Sequence, residues 1–140
     1  MKRSEELAPL SRDHHQGLFA ALKLRRGAPD ARDVFLRFWV DGRRHFAIEE
    51  ELLLPALARH IAADHESIVR VLVEHVQLRR LAADAEAGAP AEMLTALGDL
   101  LHAHIRHEED VLFPLAEREL PADELASLGA AIAAAEDSEH

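Results

Sequence analysis

The chain has 140 residues, 49% hydrophobic and 30% charged, with neither cysteine nor tyrosine. A chain of this length suits a single domain, residues 1–140, that buries roughly two-thirds of its unfolded surface, and the missing cysteines exclude a disulfide framework and any thiolate metal site. The balance of 26 acidic to 16 basic residues, net −10, argues against a nucleic-acid surface, which needs clustered Lys and Arg.

Aromatic residues make up only 4%, and Ala and Leu dominate, which favours helix over strand and predicts an all-α protein. The opening Met1-Lys2-Arg3-Ser4-Glu5-Glu6 has no apolar core of a signal peptide, and no apolar run approaches the roughly 20 residues of a membrane span. The expectation is a cytoplasmic protein that meets no membrane.

In chain order, Leu7, Leu10, Leu18, Phe19, Leu22 and Leu24 mark a first helix to about Arg26, stopped by Gly27-Ala28-Pro29. His14 and His15 fall in its middle. A second helix is predicted from an Asp30 cap to about Ala62, with Gly42 and Pro55 as places where it could bend. Ala63-Asp64 offers the next turn and cap, and Ile68, Val69, Val71, Leu72, Val76, Leu78 and Leu81 carry a third helix to about Gly88, with His75 at its centre. Pro90 suits a first helical position for a fourth helix running to about Glu119. Pro121 opens a short, Ala-rich fifth segment with Leu125, Leu128 and Ile132, expected to be a helix packed outside the bundle, in an accessory region of helix and polar tail from about 120 to 140. Short connections favour antiparallel neighbours, so the predicted core, about residues 7–119, is an up-and-down antiparallel four-helix bundle.

Two stretches share one skeleton. His45-Phe46-Ala47-Ile48-Glu49-Glu50-Glu51-Leu52-Leu53-Leu54-Pro55 and His104-Ile105-Arg106-His107-Glu108-Glu109-Asp110-Val111-Leu112-Phe113-Pro114 both read His-x-x-x-Glu-Glu-x-x-x-x-Pro. Residues four apart share a helix face, so His45 with Glu49, and His104 with Glu108, each form an imidazole–carboxylate pair pointing one way. A lone mid-helix histidine precedes each pair by one helix: His15 stands thirty residues before His45 and His75 twenty-nine before His104. The chain reads as two related halves around one site.

Six donors, His15, His45, Glu49, His75, His104 and Glu108, would converge at similar depth. Nitrogen and oxygen without sulfur suit Fe, Mn, Zn or Ni, and two ions there would keep positions open for a small ligand. Acidic runs usually form solvated faces; here the His/Glu pairs share their faces with apolar residues, and burying them unpartnered would be costly. Taken singly, His14, His60, His65, His102 and His140 read as ordinary core or surface residues, and Glu109 and Asp110 as solvated or supporting ones. His107 remains an open candidate ligand, one turn from His104 but with Val111 four residues on. A zincin site is excluded, because the second histidine required after His65-Glu66 or His107-Glu108 is Val69 or Val111.

The set Asp13-His14-His15-x-x-Leu18, His45-x-x-x-Glu49-Glu50 with Pro55, Glu74-His75-x-x-Leu78, and His104-x-x-x-Glu108-Glu109 with Phe113-Pro114 resembles the hemerythrin-like, or HHE cation-binding, domains over about residues 7–119. The resemblance implies a four-helix bundle around two iron ions with an oxo or hydroxo bridge, Glu49 and Glu108 as bridging carboxylates, and Mn or Zn as substitutes. His15 fits the His-x-x-Leu-Phe run and is the favoured helix-one ligand; Asp13-His14 fits the family's acidic-His pair. Oxygen-carrying members have a second His four residues after the helix-three ligand and a later Asp on helix four. Here those places are Arg79 and Glu108, which looks more like the His-and-Glu-rich branch that includes iron sensors and proteins linked to nitric-oxide or oxidative stress. The expected function is binding or reduction of O2, peroxide or NO, with an iron-responsive sensory module as the alternative.

Overall fold

Along α1 (Ala8–Arg26) the buried residues include Leu10, His14, Gly17, Ala21 and Leu24. Their spacing alternates between four and three, the seam of a helix packed in a bundle. The structure, a computed structural model, describes residues 2–138; His140 lies outside them. Gly27 ends α1 in the left-handed region at φ 66°, where a side chain would be strained, and its N–H and that of Ala28 donate to the carbonyls of Leu24 and Lys23.

The helix α2 (Ala31–Ile48) runs unbroken through Gly42. Asp30 occupies its cap position without a capping side-chain bond; its carboxylate instead accepts from Lys23 Nζ, at 3.1 Å to each oxygen. A π-helical turn, π1 (Glu49–Leu53), and the short α3 (Leu54–Leu57) continue the same rod. The helix α4 (Glu66–Glu86) is capped by His65 rather than Asp64, with His65 Nδ1 accepting the Ser67 N–H at 3.1 Å. Pro90 is the cap, not the first residue, of α5 (Ala91–His107), which passes through a second π turn, π2 (Glu108–Leu112), into α6 (Phe113–Glu119).

The two π turns have one cause. Pro55 and Pro114 cannot donate to the carbonyl four residues back, and their rings crowd it. Widening the preceding turn removes both conflicts: the Leu54 and Phe113 N–H groups reach back five residues to Glu49 and Glu108. Each π turn begins at a carboxylate of the repeated motif, in keeping with the concentration of such turns at functional sites.

The helices α1, α2, α4 and α5 pack as the four sides of a square, each against two neighbours. This is the predicted up-and-down bundle, and no strand occurs among the described residues. Gly98 lets α5 approach α1, since a Cβ there would lie 2.7 Å from Leu24 Cβ and 3.0 Å from the Ala21 carbonyl oxygen. The fifth segment is the expected C-terminal helix: α7 (Ala122–Asp137) has sixteen residues and buries Leu128 and Ile132 in one cluster with Leu7, Leu10, Leu53 and Leu57.

The apolar core is divided. One cluster gathers Leu10, Leu53, Leu57, Val71 and Leu112 at one end, and the other gathers Leu24, Phe35, Leu78, Leu97 and Leu101 at the opposite end. The buried polar residues His14, His45, Glu49, His75, His104 and Glu108 lie between them in sequence on every helix. The bundle seals this layer from above and below.

Candidate metal centre

Each of the four long helices brings one histidine to the layer. His45 Nε2 lies 2.9 Å from Glu49 Oε2, and His75 Nε2 lies 3.0 Å from Glu49 Oε1. Glu108 mirrors this, with Oε1 2.8 Å from His14 Nε2 and Oε2 3.2 Å from His104 Nε2. Two groups of potential ligands result, His14 with His45 and His75 with His104, and both include Glu49 and Glu108. Each carboxylate thus presents one oxygen to each histidine pair, and the pairs coincide with the two halves of the sequence.

The outward nitrogens are equally ordered. His14 Nδ1 contacts Glu109 at 2.6 Å, His45 Nδ1 contacts Asp13 at 3.0 Å, His75 Nδ1 contacts Glu50 at 2.7 Å, and His104 Nδ1 contacts Glu74 at 2.8 Å. An Nδ1–H donated to a carboxylate fixes the tautomer and turns Nε2 inward, the arrangement by which metal-ligating histidines are usually oriented. Asp13 and Glu74 steady the histidine of their own half; Glu50 and Glu109 reach into the other. The ring of four acids ties the halves together.

Further out, arginines hold these acids. Arg79 bonds Glu50 at 2.6 Å and lies over the Phe46 ring, which stacks on His75 with centroids 3.9 Å apart. Arg3 contacts Glu109 at 3.4 Å and lies over Phe113, stacked on His14 at 5.4 Å. Arg70 bonds Glu74 at 3.0 Å. Arg79, four residues after His75, is therefore a clamp behind it.

Burial would lower the imidazole pKa values, but the carboxylates outweigh it. Beside Glu108 and Glu49, His75 is raised to about 9, and the charge of Glu108 raises His104 to about 10. His45 is held well above its ordinary value by Glu49 and Asp13, and His14 is raised by Glu108 and Glu109. Glu108, despite burial, is held well below the carboxylate range by His104 and its other histidine neighbours. The layer strongly favours cations against its carboxylates.

Of the sequence candidates, His45, Glu49, His75, His104 and Glu108 meet in the layer. On helix one it is His14, the less favoured of the two candidates, that lies in the cluster, and His15 is exposed on a neighbouring face. The physical reason is the seam. Phe19 and Leu22, two of the apolar residues that mark the helix, are 54% and 42% exposed, while the small Gly17, Ala20 and Ala21 are buried, so the buried face is rotated one residue toward His14. His107 belongs to neither group; its Nε2 contacts Ser67 Oγ at 2.8 Å. His60 pairs with Glu124 at 2.9 Å. Asp13, Glu50 and Glu74 were legible only as acids adjoining His14, Glu49 and His75, and Glu109 as the acid after Glu108.

The donor set fits metal ions. Glu49 Oε1, His75 Nε2, His104 Nε2 and Glu108 Oε2 are buried and lack any hydrogen-bond partner, although nitrogen and oxygen stand 3.0–3.2 Å apart in two pairs. These atoms point at shared space without satisfying each other, at a site whose nitrogen and oxygen donors suit borderline and hard cations.

A four-helix bundle with a buried, twofold-repeated His/Glu layer is the architecture of helical-bundle metal proteins. The family model for the hemerythrin HHE cation binding domain matches residues 8–124, and the chain belongs to that family. Comparison with curated proteins and with solved structures gives no match. No helix of the described residues is long and apolar enough to cross a membrane.

Proposed function

We propose that the layer holds two iron ions and that the domain binds or reduces a small oxidant, O2, peroxide or nitric oxide. The observation that carries this reading is the sharing of Glu49 and Glu108 between two histidine pairs, which suits two neighbouring ions better than one. His14 and His45 would hold one ion, His75 and His104 the other, with the two carboxylates spanning both; manganese or zinc would occupy the same donors. Bound iron would supply redox change and open coordination positions for the oxidant.

The protein's own part is orientation and exclusion. Asp13, Glu50, Glu74 and Glu109 retain the Nδ1 protons, so each Nε2 stays available as a neutral donor. Phe46 and Phe113 cover the imidazoles of His75 and His14, and the two apolar clusters keep bulk water from the layer. Anaerobic loading with ferrous iron, followed by mixing with O2, hydrogen peroxide or nitric oxide and recording of the visible spectrum, tests the reading. A spectral change with at least one of them is expected; an iron-loaded protein inert to all three contradicts it.

A second reading, an iron-responsive module without turnover, is favoured by one contact: Arg3, ahead of the bundle, bonds Glu117 at 2.9 Å and the Glu109 carbonyl at 2.6 Å. The His14 corner is thereby tied to the N-terminal segment. Stabilisation by iron without oxidant consumption supports this alternative.

A further inference from the structure

Of the four acids behind the histidines, Asp13 is the most exposed, at 34%. Glu109, Glu50 and Glu74 are each held by an arginine; among the described residues none pairs with Asp13. Outside Asp13 lies a cleft of about 420 Å³ whose wall includes Phe38, Gly42, Arg44 and Glu136. Inside lies a crevice of about 10 Å³ bounded by the same Asp13, Phe38 and Gly42, which reaches His14, His45 and His104 between Leu101 and Ile105.

Phe38, with Asp13 and Gly42, lines both spaces, and its seat is built from missing side chains. A Cβ on Gly42 would lie 2.8 Å from Phe38 Cζ, and one on Gly17 would lie 3.3 Å from two ring atoms and 2.7 Å from Ile105 Cδ1. Two helices thus leave out a side chain where the ring rests. The crevice behind it is near the lower limit for one water, roughly 10–15 Å³, so a diatomic molecule can pass only if the ring moves. The ring is half-buried, and the outer cleft gives it room to swing.

We infer that Phe38 is the gate of the metal centre, admitting small neutral molecules between α1 and α2 past Gly17 and Gly42. This use of the passage rests on the proposed function, while the passage itself is a property of the fold. The apolar lining contributed by Phe38, Phe46, Leu101 and Ile105 makes entry costly for an anion, which would have to shed its hydration. At the mouth Asp13, Asp41 and Asp137 outnumber Arg12 and Arg44 and add to that cost.

Dissolved O2 is a paramagnetic probe that needs no metal in the protein. NMR relaxation of methyl groups under O2 pressure is compared for wild type, Phe38→Ala, Phe38→Leu and Phe19→Ala, using full-length protein without metal and loaded with diamagnetic zinc. Phe38→Ala is expected to raise the O2 effect severalfold at Ile105 and Leu101 and to leave Leu57 and Ile132 unchanged, with Phe38→Leu intermediate. Phe19 lines another cleft, with His15, Val34 and Arg37, that includes neither Asp13 nor Gly42 nor any histidine of the layer, and Phe19→Ala should match wild type. With iron loaded, Phe38→Ala should speed both association and dissociation of nitric oxide about tenfold, leaving Kd unchanged. Equal relaxation in wild type and both Phe38 variants, or a rise in Phe19→Ala, overturns the gate. If Phe38→Ala perturbs the Leu57 and Ile132 signals, Phe38→Leu decides. Failure to load metal defeats the proposed function but leaves the relaxation result on metal-free protein to decide the passage.

Discussion

Glu49 and His75 stand 3.0 Å apart, Oε1 to Nε2, both fully buried, yet neither atom has a hydrogen-bond partner. Their alignment misses a hydrogen bond, and His104 Nε2 and Glu108 Oε2 repeat the arrangement. Four such atoms in one layer are difficult to reconcile with a purely structural role. A shared cation would satisfy all of them.

Loading should therefore stabilise the fold. At free metal about 100-fold above Kd, linkage gives about 2.7 kcal/mol. For a chain of this size each kcal/mol moves Tm by roughly 2–4 °C. Calorimetry with and without ferrous iron or zinc should show an upward shift on that scale, abolished by chelator.

The two neighbouring histidines of α1 should behave differently. His14→Ala is expected to lose most of the affinity of one ion and to lower bound metal per chain. His15→Ala, on an exposed face, should load like wild type. Metal content after dialysis against a weak chelator makes the comparison, and equal loss in both variants would reject the assignment of His14.

The supporting acids should matter almost as much as the ligands. Glu50→Gln or Glu109→Gln keeps the shape but removes the charge facing Nδ1, and losses of such partners cost about 10–100-fold in metal affinity. Competition with a chromophoric chelator measures this. Asp110, exposed and paired with Arg106 at 2.8 Å, is the control: Asp110→Asn should leave affinity unchanged.

Proton linkage follows from the histidines. Burial lowers their pKa values, but the contacts of Glu108 and Glu49 place His75 at about 9 and His104 at about 10. A raised folded-state value stabilises the metal-free protein fully below the ordinary 6.5, and that contribution is lost as pH rises through 9 to 10. Burial would raise Glu109, yet its bond to His14 draws it to about 2; its contribution is present above the ordinary 4.5 and lost as pH falls toward 2. Denaturant melts of metal-free protein should be most resistant between these limits, at about pH 4.5–6.5. Metal must displace the imidazole protons, so loading at pH 7 should release protons and weaken with acid. Loading without proton release would exclude His75 and His104 as ligands.

Much of the bundle and its layer is legible in the sequence because the strongest signals are short-range. His45 to Glu49 and His104 to Glu108 are one helical turn apart, and any helix over those stretches aligns them. His14 was harder: the choice between adjacent histidines depends on which face of α1 is buried, and Gly17, Ala20 and Ala21 bury that face without adding hydrophobic weight. The acids behind the layer were harder still, because Glu50 finds His75, and Glu109 finds His14, only across helix pairs. The π turns were hidden for another reason: Pro55 and Pro114 signal a disturbed helix, but the way it is absorbed depends on the backbone around Glu49 and Glu108.

The most direct test of the central claim is metal stoichiometry. Full-length protein, saturated anaerobically with ferrous iron and freed of excess, should contain about two iron ions per chain, and Glu108→Ala should disrupt both positions, since that carboxylate faces both histidine pairs. Well-folded wild-type protein that retains no iron, or a Glu108→Ala variant that still binds two ions with unchanged affinity, would contradict the account.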